Sequence, residues 1–189
     1  MKRSEISRVL VPLRREEANA VRLYLQYKGY HWNVAGPLFR ELHRLFDEHA
    51  EVVFEMIDSL AERLRILGAP APYGLDELRR LATIPEDPHL PGAPKEMLER
   101  LLAAHRTILE GMEEGVREAS ESGDVGTADL FTRYIQAHQK MEWFLRETAF
   151  DRAAAAEGSG ETMPASGGKS ALHESTWAHP SPIPGHPLP

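Results

Sequence analysis

The 189-residue chain contains no cysteine. Disulfides and thiolate metal sites are therefore excluded. Any metal must be held by imidazole and carboxylate groups, the donors that suit hard or borderline ions. No apolar run approaches the ~20 residues that a membrane-spanning helix needs, so no membrane association is expected. The opening MKRSEISRVLVPLRREEANA lacks the uninterrupted apolar stretch of a signal peptide, and a cytoplasmic location is expected. Cations are in the minority: 22 Lys and Arg stand against 29 Asp and Glu, a formal net charge of −7. Nucleic acid is thereby disfavoured as a partner unless the basic residues are segregated. Aromatic residues make up only 7% of the chain, but 42% is hydrophobic, enough to pack a core.

Alternating apolar patterns, the mark of half-buried strands, are also missing, and residues 1–150 read as helix almost throughout. A first helix is predicted from Ser4 or Glu5 to Trp32, with Ile6, Leu10, Leu13, Ala20, Leu23 and Leu25 as its apolar stripe. Asn33 and Gly36-Pro37 break it, and Pro37 suits the first turn of a second helix over 37–66. A proline-rich link, 68–92, holds one short helix at GLDELRRLA. Third and fourth helices follow at 93–121 and from Asp124 to Phe150, with Asp124 or Thr127 as the cap of the last. Short first and last turns with a long central link predict an all-α four-helix bundle of up-down-down-up order. From 151 onward composition changes: 6 of the 14 prolines and 5 of the 14 glycines fall in 151–189, which reads as a flexible tail.

Five metal-capable side chains interrupt the second helix and the turn before it: His31, His43, Asp47, Asp58 and Glu62. At roughly 100° per residue, His43, Asp47, Asp58 and Glu62 fall at about 0°, 40°, 60° and 100°, one face of the helix. Along the axis, however, Asp47 and Asp58 stand about 16 Å apart, whereas metal–ligand bonds measure only ~2.0–2.2 Å. One chain cannot close a compact site with both pairs. A second copy crossing antiparallel about a two-fold axis would set His43 and Asp47 against its Asp58 and Glu62, giving two equivalent sites per dimer. His31 could swing back to join the first half, and the donors would suit Fe(II), Zn or Mn. The plainer alternative is a solvated face carrying ordinary i,i+4 pairs. No Glu-x-x-His pair is available for a site within one bundle except Glu86 to His89, in the link.

The run HWNVAGPLFRELHRLFDEHA, followed by IDSLAERLRILG and later by GDVGTADLFTRYIQAHQKMEWFLRE, resembles the Dps-type miniferritins (DNA-binding proteins from starved cells) over about residues 5–150. That resemblance implies a ferritin-like bundle assembled as a hollow, twelve-subunit shell. It implies a di-iron ferroxidase centre at each two-fold interface, with His31, His43 and Asp47 from one subunit and Asp58 and Glu62 from the next. The expected reaction is oxidation of Fe(II), preferably by hydrogen peroxide, with storage of ferric mineral and suppression of hydroxyl-radical chemistry. The imidazoles and Asp47 are expected to anchor the first iron, and Glu62 with Asp58 the second. Trp32 is expected beside the centre, as an acceptor of oxidising equivalents or as interface packing. Glu121, Asp124 and Asp129 resemble the acidic lining of the family's iron-admitting pore, although Asp124 suits a helix cap equally.

The alternative reading within this family is a non-enzymatic, nucleoid-associated protein that compacts DNA. Phosphate contacts need clustered Lys or Arg. Here only Lys2, Arg3 and Arg8 lie at the start of the first helix, and 151–189 carries two basic against four acidic residues. His173, His179 and His186 in the tail are read as solvated spacers, with metal binding or acid-dependent phosphate attraction as the alternative. His49, about 240° round the helix from His43, is not read as a ligand; His105 and His138, which lack acidic partners at helical spacing, are read as structural, and Trp143 as packing.

Overall fold

The computed structural model describes residues 3–149; the expected tail, including His173, His179 and His186, lies outside them. All regular structure among the described residues is helical: α1 (Arg3–Asn33), α2 (Phe39–Ile66), α3 (Leu75–Leu81), α4 (Pro94–Glu121) and α5 (Val125–Ala149). The four long helices form the expected bundle, and α3 is the short helix in the long connection.

Apolar spacing accounts for each helix. Leu42, Phe46, Val53, Met56, Leu60 and Leu64 recur every three or four residues and form the buried edge of α2. Leu98, Leu101, Ile108 and Met112 do the same on α4. Glycines end two of the helices. Gly68 and Gly123 adopt positive φ of +83° and +70°, which L side chains rarely take. The following residues, Ala69 and Asp124, donate back to the carbonyls of Leu64 and Ala119 at 3.0 and 2.8 Å, closing Schellman turns. Asp124 then caps α5, its Oδ1 accepting from the Thr127 N–H at 3.0 Å and its Oδ2 from the Thr127 hydroxyl at 2.6 Å.

Contacts between the helices fix their directions. Lys28 meets Asp47, so α1 and α2 run antiparallel. Arg8 meets Glu118 and Arg15 meets Gly111, so α1 and α4 are antiparallel too. The helices α2 and α4 are therefore parallel, which the segment from Leu67 to Ala93 makes possible, and His105 against His138 turns α5 back on α4. The order is up-down-down-up, as the loop lengths predict. Asn19 staples the long connection to α1: its carbonyl accepts the N–H groups of Thr83 and Ile84 at 2.7 and 3.2 Å. Further along, Asp87 binds both Tyr30 and Arg100. Gly115 leaves room for Phe131, whose ring would lie 2.5 Å from an added Cβ.

Two local expectations are corrected. Leu25 is 55% exposed rather than part of the core, because it lies about 200° round the helix from Leu23. Pro37 lies in a turn ahead of α2, after Gly36 at φ +103°, and the helix starts at Phe39.

Core positions of α1 also carry carboxylates. Glu16 is fully buried and meets Arg15 at 2.6 Å and the Asn19 carboxamide at 3.0 Å. Glu17 is 3% exposed, and its Oε2 has no hydrogen-bond partner among the described residues. Burial pushes the Glu17 carboxyl up to about 7, against the pull of Arg14 and with the help of Glu77. Raised above its unfolded value, the group weakens the fold progressively as pH rises from about 4.5 to about 7. Glu17→Gln is therefore expected to raise the chemical-denaturation stability at pH 8, by up to about 3 kcal/mol, with little effect at pH 4. Urea titrations of both proteins at the two pH values measure it.

Candidate metal centre

The tight turn between α1 and α2 folds the last turn of one helix onto the first turns of the next. There His31 and His43 stack with ring centroids 3.7 Å apart and planes 22° from parallel. Each ring binds the backbone of the other: His31 Nδ1–H donates to the His43 carbonyl at 2.8 Å, and His43 Nδ1–H to the His31 carbonyl at 2.9 Å. A carbonyl only accepts, so each Nδ1 carries a proton, and in the neutral tautomer this fixes, Nε2 is the nitrogen with the lone pair. Backbone buttressing of the far nitrogen is what a metal-ligating histidine requires. Asp47 lies one helical turn beyond His43, its Oδ1 3.9 Å from His31 Nδ1. The ammonium of Lys28 holds that oxygen at 2.6 Å and, by that hydrogen bond first, keeps the carboxyl below its usual range.

Asp58 and Glu62 are exposed farther along the same face of α2, and neither has a hydrogen bond or ion pair among the described residues. Between the two pairs lies Phe54, 59% exposed, with Tyr24 tilted against it at 5.6 Å. A groove of about 410 Å³ runs here, lined by Tyr24, Lys28, Asp47, Ala50, Glu51 and Phe54 among others. No three metal-capable side chains converge on one point among the described residues. The single chain stacks the His31 and His43 rings with Asp47 at their edge, short of a three-ligand cluster, and leaves Asp58 and Glu62 farther along α2. Trp32, next to His31, is 67% exposed.

Residues 13–151 match the model of the ferritin-like domain family. The solved Dps of Thermosynechococcus elongatus is 43% identical, covering 80% of this chain and 96% of that one, with a TM-score of 0.76. A Dps protein of Vibrio cholerae, described as one of the ferritin-like diiron-carboxylate proteins, is 28% identical at TM-score 0.75, covering 79% and 94%. DNA protection during starvation protein 1 of Deinococcus radiodurans is 29% identical over 77% of this chain and 70% of its own length. The chain is a Dps-type miniferritin.

Elsewhere in this miniferritin, the three acidic residues read as pore lining differ in what engages them. Asp124 is buried (6% exposed): besides capping α5, it accepts from Arg63 Nη2 at 2.5 Å. Of the two roles left open by the sequence, the cap is the one its contacts fulfil. Glu121 and Asp129 are exposed, paired with Arg8 at 2.8 Å and with Arg133 at 3.4 Å.

Three features were not read from the sequence: the Lys28–Asp47 pair, the exposed Phe54 between the half-sites, and a polar chain through the core. In that chain Tyr27 Oη lies 3.0 Å from His49 Nδ1 and 2.5 Å from His105 Nε2, and His105 Nδ1 lies 2.8 Å from His138 Nδ1. His138 Nε2 ends it, 3.3 Å from Met56 Sδ. A signal was present, since each of the three histidines occupies an apolar position on its helix.

Burial lowers all three imidazoles, His49 to about 4 and His138 to about 3, and His105 well below its ordinary value. Their folded values lie below the unfolded one. The neutral network therefore stabilises the fold fully above about pH 6.5 and loses that contribution as pH falls towards 4 and 3. The melting temperature is expected to fall between pH 7 and pH 4, and less steeply in His138→Gln. Scanning calorimetry across that range checks both slopes.

Proposed function

We propose that two copies of this chain complete a pair of ferroxidase centres across a two-fold axis, oxidise Fe(II) there and store the ferric product in a hollow, twelve-subunit shell. The observation that carries this reading is the division of α2 into two half-sites. One half has two backbone-buttressed imidazoles with Asp47 one turn along; the other is a pair of exposed carboxylates with no partner in its own chain among the described residues. The midpoint of the two halves falls near residues 52 and 53. An axis there would bring exposed Phe54 against the second copy, giving the contact an apolar centre.

In such a dimer His31, His43 and Asp47 hold one ferrous ion, Asp47 exchanging the Lys28 ammonium for it. Asp58 and Glu62 of the second copy close the shell of ligands and hold the second ion. Anionic oxygen donors stabilise Fe(III) over Fe(II) and so favour oxidation. Two ferrous ions together supply both electrons that hydrogen peroxide needs to become water, and hydroxyl radical is avoided. Zn(II) or Mn(II) fits the same donors. Trp32 stands beside the centre to accept stray oxidising equivalents, and exposed Glu121 and Asp129 line the route by which iron is admitted. DNA compaction is the second reading and the weaker one, given the net charge of −7.

Asp58→Ala is expected to slow peroxide-driven Fe(II) oxidation at least tenfold, about the lower end of what is lost when a metal's outer partners are removed. Particle size by light scattering should not change. A monomeric wild type that still oxidises iron, or an Asp58→Ala protein of unchanged rate, would contradict the reading.

A further inference from the structure

The polar chain in the core has a direction. A thioether sulfur only accepts, so His138 Nε2 must carry its proton and donate to Met56 Sδ. His138 Nδ1 is then the acceptor for His105 Nδ1–H. His105 Nε2, left with a lone pair, accepts the Tyr27 hydroxyl at 2.5 Å, and the Tyr27 oxygen accepts in turn from His49 Nδ1–H. The groups form a line rather than a cage: His105 uses opposite edges of its ring for Tyr27 and His138, so no single metal ion can be reached by all of them. Tyr27, His105 and Met56 are at most 1% exposed. A bundle core needs none of this polarity, because apolar residues at the same positions would bury without desolvating anything.

The line has the parts of a coupled proton and electron donor. Burial holds the Tyr27 phenol well above its ordinary value, so the phenolate is out of reach. His105 Nε2 faces the phenol with its lone pair, and although burial disfavours its imidazolium, an oxidised phenol is acidic enough to transfer its proton there. An electron can then leave the ring only as the proton moves across the short bond to Nε2. Tyr27 also stands one helical turn before His31 on α1, about 6 Å along the axis. Phe46 packs between Tyr27 and Tyr30, 6.2 Å from each.

We propose that Tyr27 is a redox-active tyrosine that supplies the missing electron when hydrogen peroxide meets a centre holding a single Fe(II), its phenolic proton passing to His105 Nε2. The proposal takes its oxidant from the ferroxidase reading. Peroxide accepts one electron from Fe(II) and one from Tyr27, its O–O bond breaks, and it leaves as two hydroxide ions, which the solvent buffer protonates to water. The products on the protein side are Fe(III), a neutral Tyr27 phenoxyl radical and an imidazolium at His105. The proton returns when the radical is reduced. Without that second electron, the same encounter releases a hydroxyl radical. The role differs from that of Trp32, which is exposed and has no such built-in proton acceptor.

The test uses the full-length, assembled protein, loaded anaerobically with one Fe(II) per centre, mixed with peroxide and frozen for electron paramagnetic resonance. A tyrosyl spectrum is expected, absent in Tyr27→Phe. Because that variant strands two imidazoles, ring-fluorinated tyrosine placed at position 27 is the second arm. It keeps the hydrogen bonds and changes the hyperfine pattern only if this ring carries the spin. Iron that oxidises without a tyrosyl signal, or a signal that fluorination leaves unaltered, overturns the proposal. Photo-oxidation of the metal-free protein by a ruthenium polypyridyl, read the same way, decides the matter even if no Fe(II) is oxidised. Failure of the iron reaction alone would count against the ferroxidase reading, and a missing fluorine-sensitive signal against Tyr27.

Discussion

Two hydrogen bonds, each from an imidazole Nδ1 to the other histidine's carbonyl, tie the end of α1 to the start of α2 at 2.8 and 2.9 Å. They depend on the short turn with Gly36 in the left-handed region, and they fix the tautomer of both rings at once. These bonds hold α1 antiparallel to α2 and engage Nδ1 of both rings, with Asp47 one turn along. The Lys28–Asp47 pair fits the same picture, an ammonium lying against a carboxylate where the centre would hold a metal cation.

A straight helix supplies the second constraint. With α2 unbroken from Phe39 to Ile66, no bending brings Asp47 and Asp58 together. Their separation along the axis, about 16 Å, is a property of helical rise and not of side-chain placement. The proposed centre is therefore a property of an assembly. Within the single chain the corresponding volume is filled by Tyr27, three histidines and Met56. This core is polar but linear, unlike the inward-facing Glu and Glu-x-x-His carboxylate sets that build di-iron sites within a bundle.

Much of this was legible in the sequence. Helix count, the long connection, the parallel α2 and α4, and the common face of His43, Asp47, Asp58 and Glu62 all follow from period and loop length. The errors have specific causes. Leu25 was counted with the stripe of α1 because that helix is buried on more than one side, including Glu16, Glu17 and Asn19, so its apolar pattern is blurred. Pro12 lies within α1 without ending it, packing prevailing over the lost hydrogen bond. His49, His105 and His138, which the helical pattern marks only as core positions, bond to Tyr27, to Met56 and to one another. The hydrogen bonds of this chain join residues up to 82 positions apart, which no local pattern reveals. Trp143, expected to pack, lies 5.0 Å from Phe144 but stays half exposed. Asp124 is the opposite case, a local capping pattern that its bonds to Thr127 realise, with Arg63 added by the tertiary fold.

The central claim is that each centre draws its ligands from two polypeptides. Subunit mixing addresses it most directly. A His31→Ala chain and an Asp58→Ala chain, each strongly slowed alone, are unfolded together, reassembled and assayed for Fe(II) oxidation. If the centres span the two-fold seam, every mixed dimer regains one complete set of ligands and activity returns in proportion to mixing. If the mixed particles form but stay as slow as their parents, the ligands belong to one chain and the account is wrong.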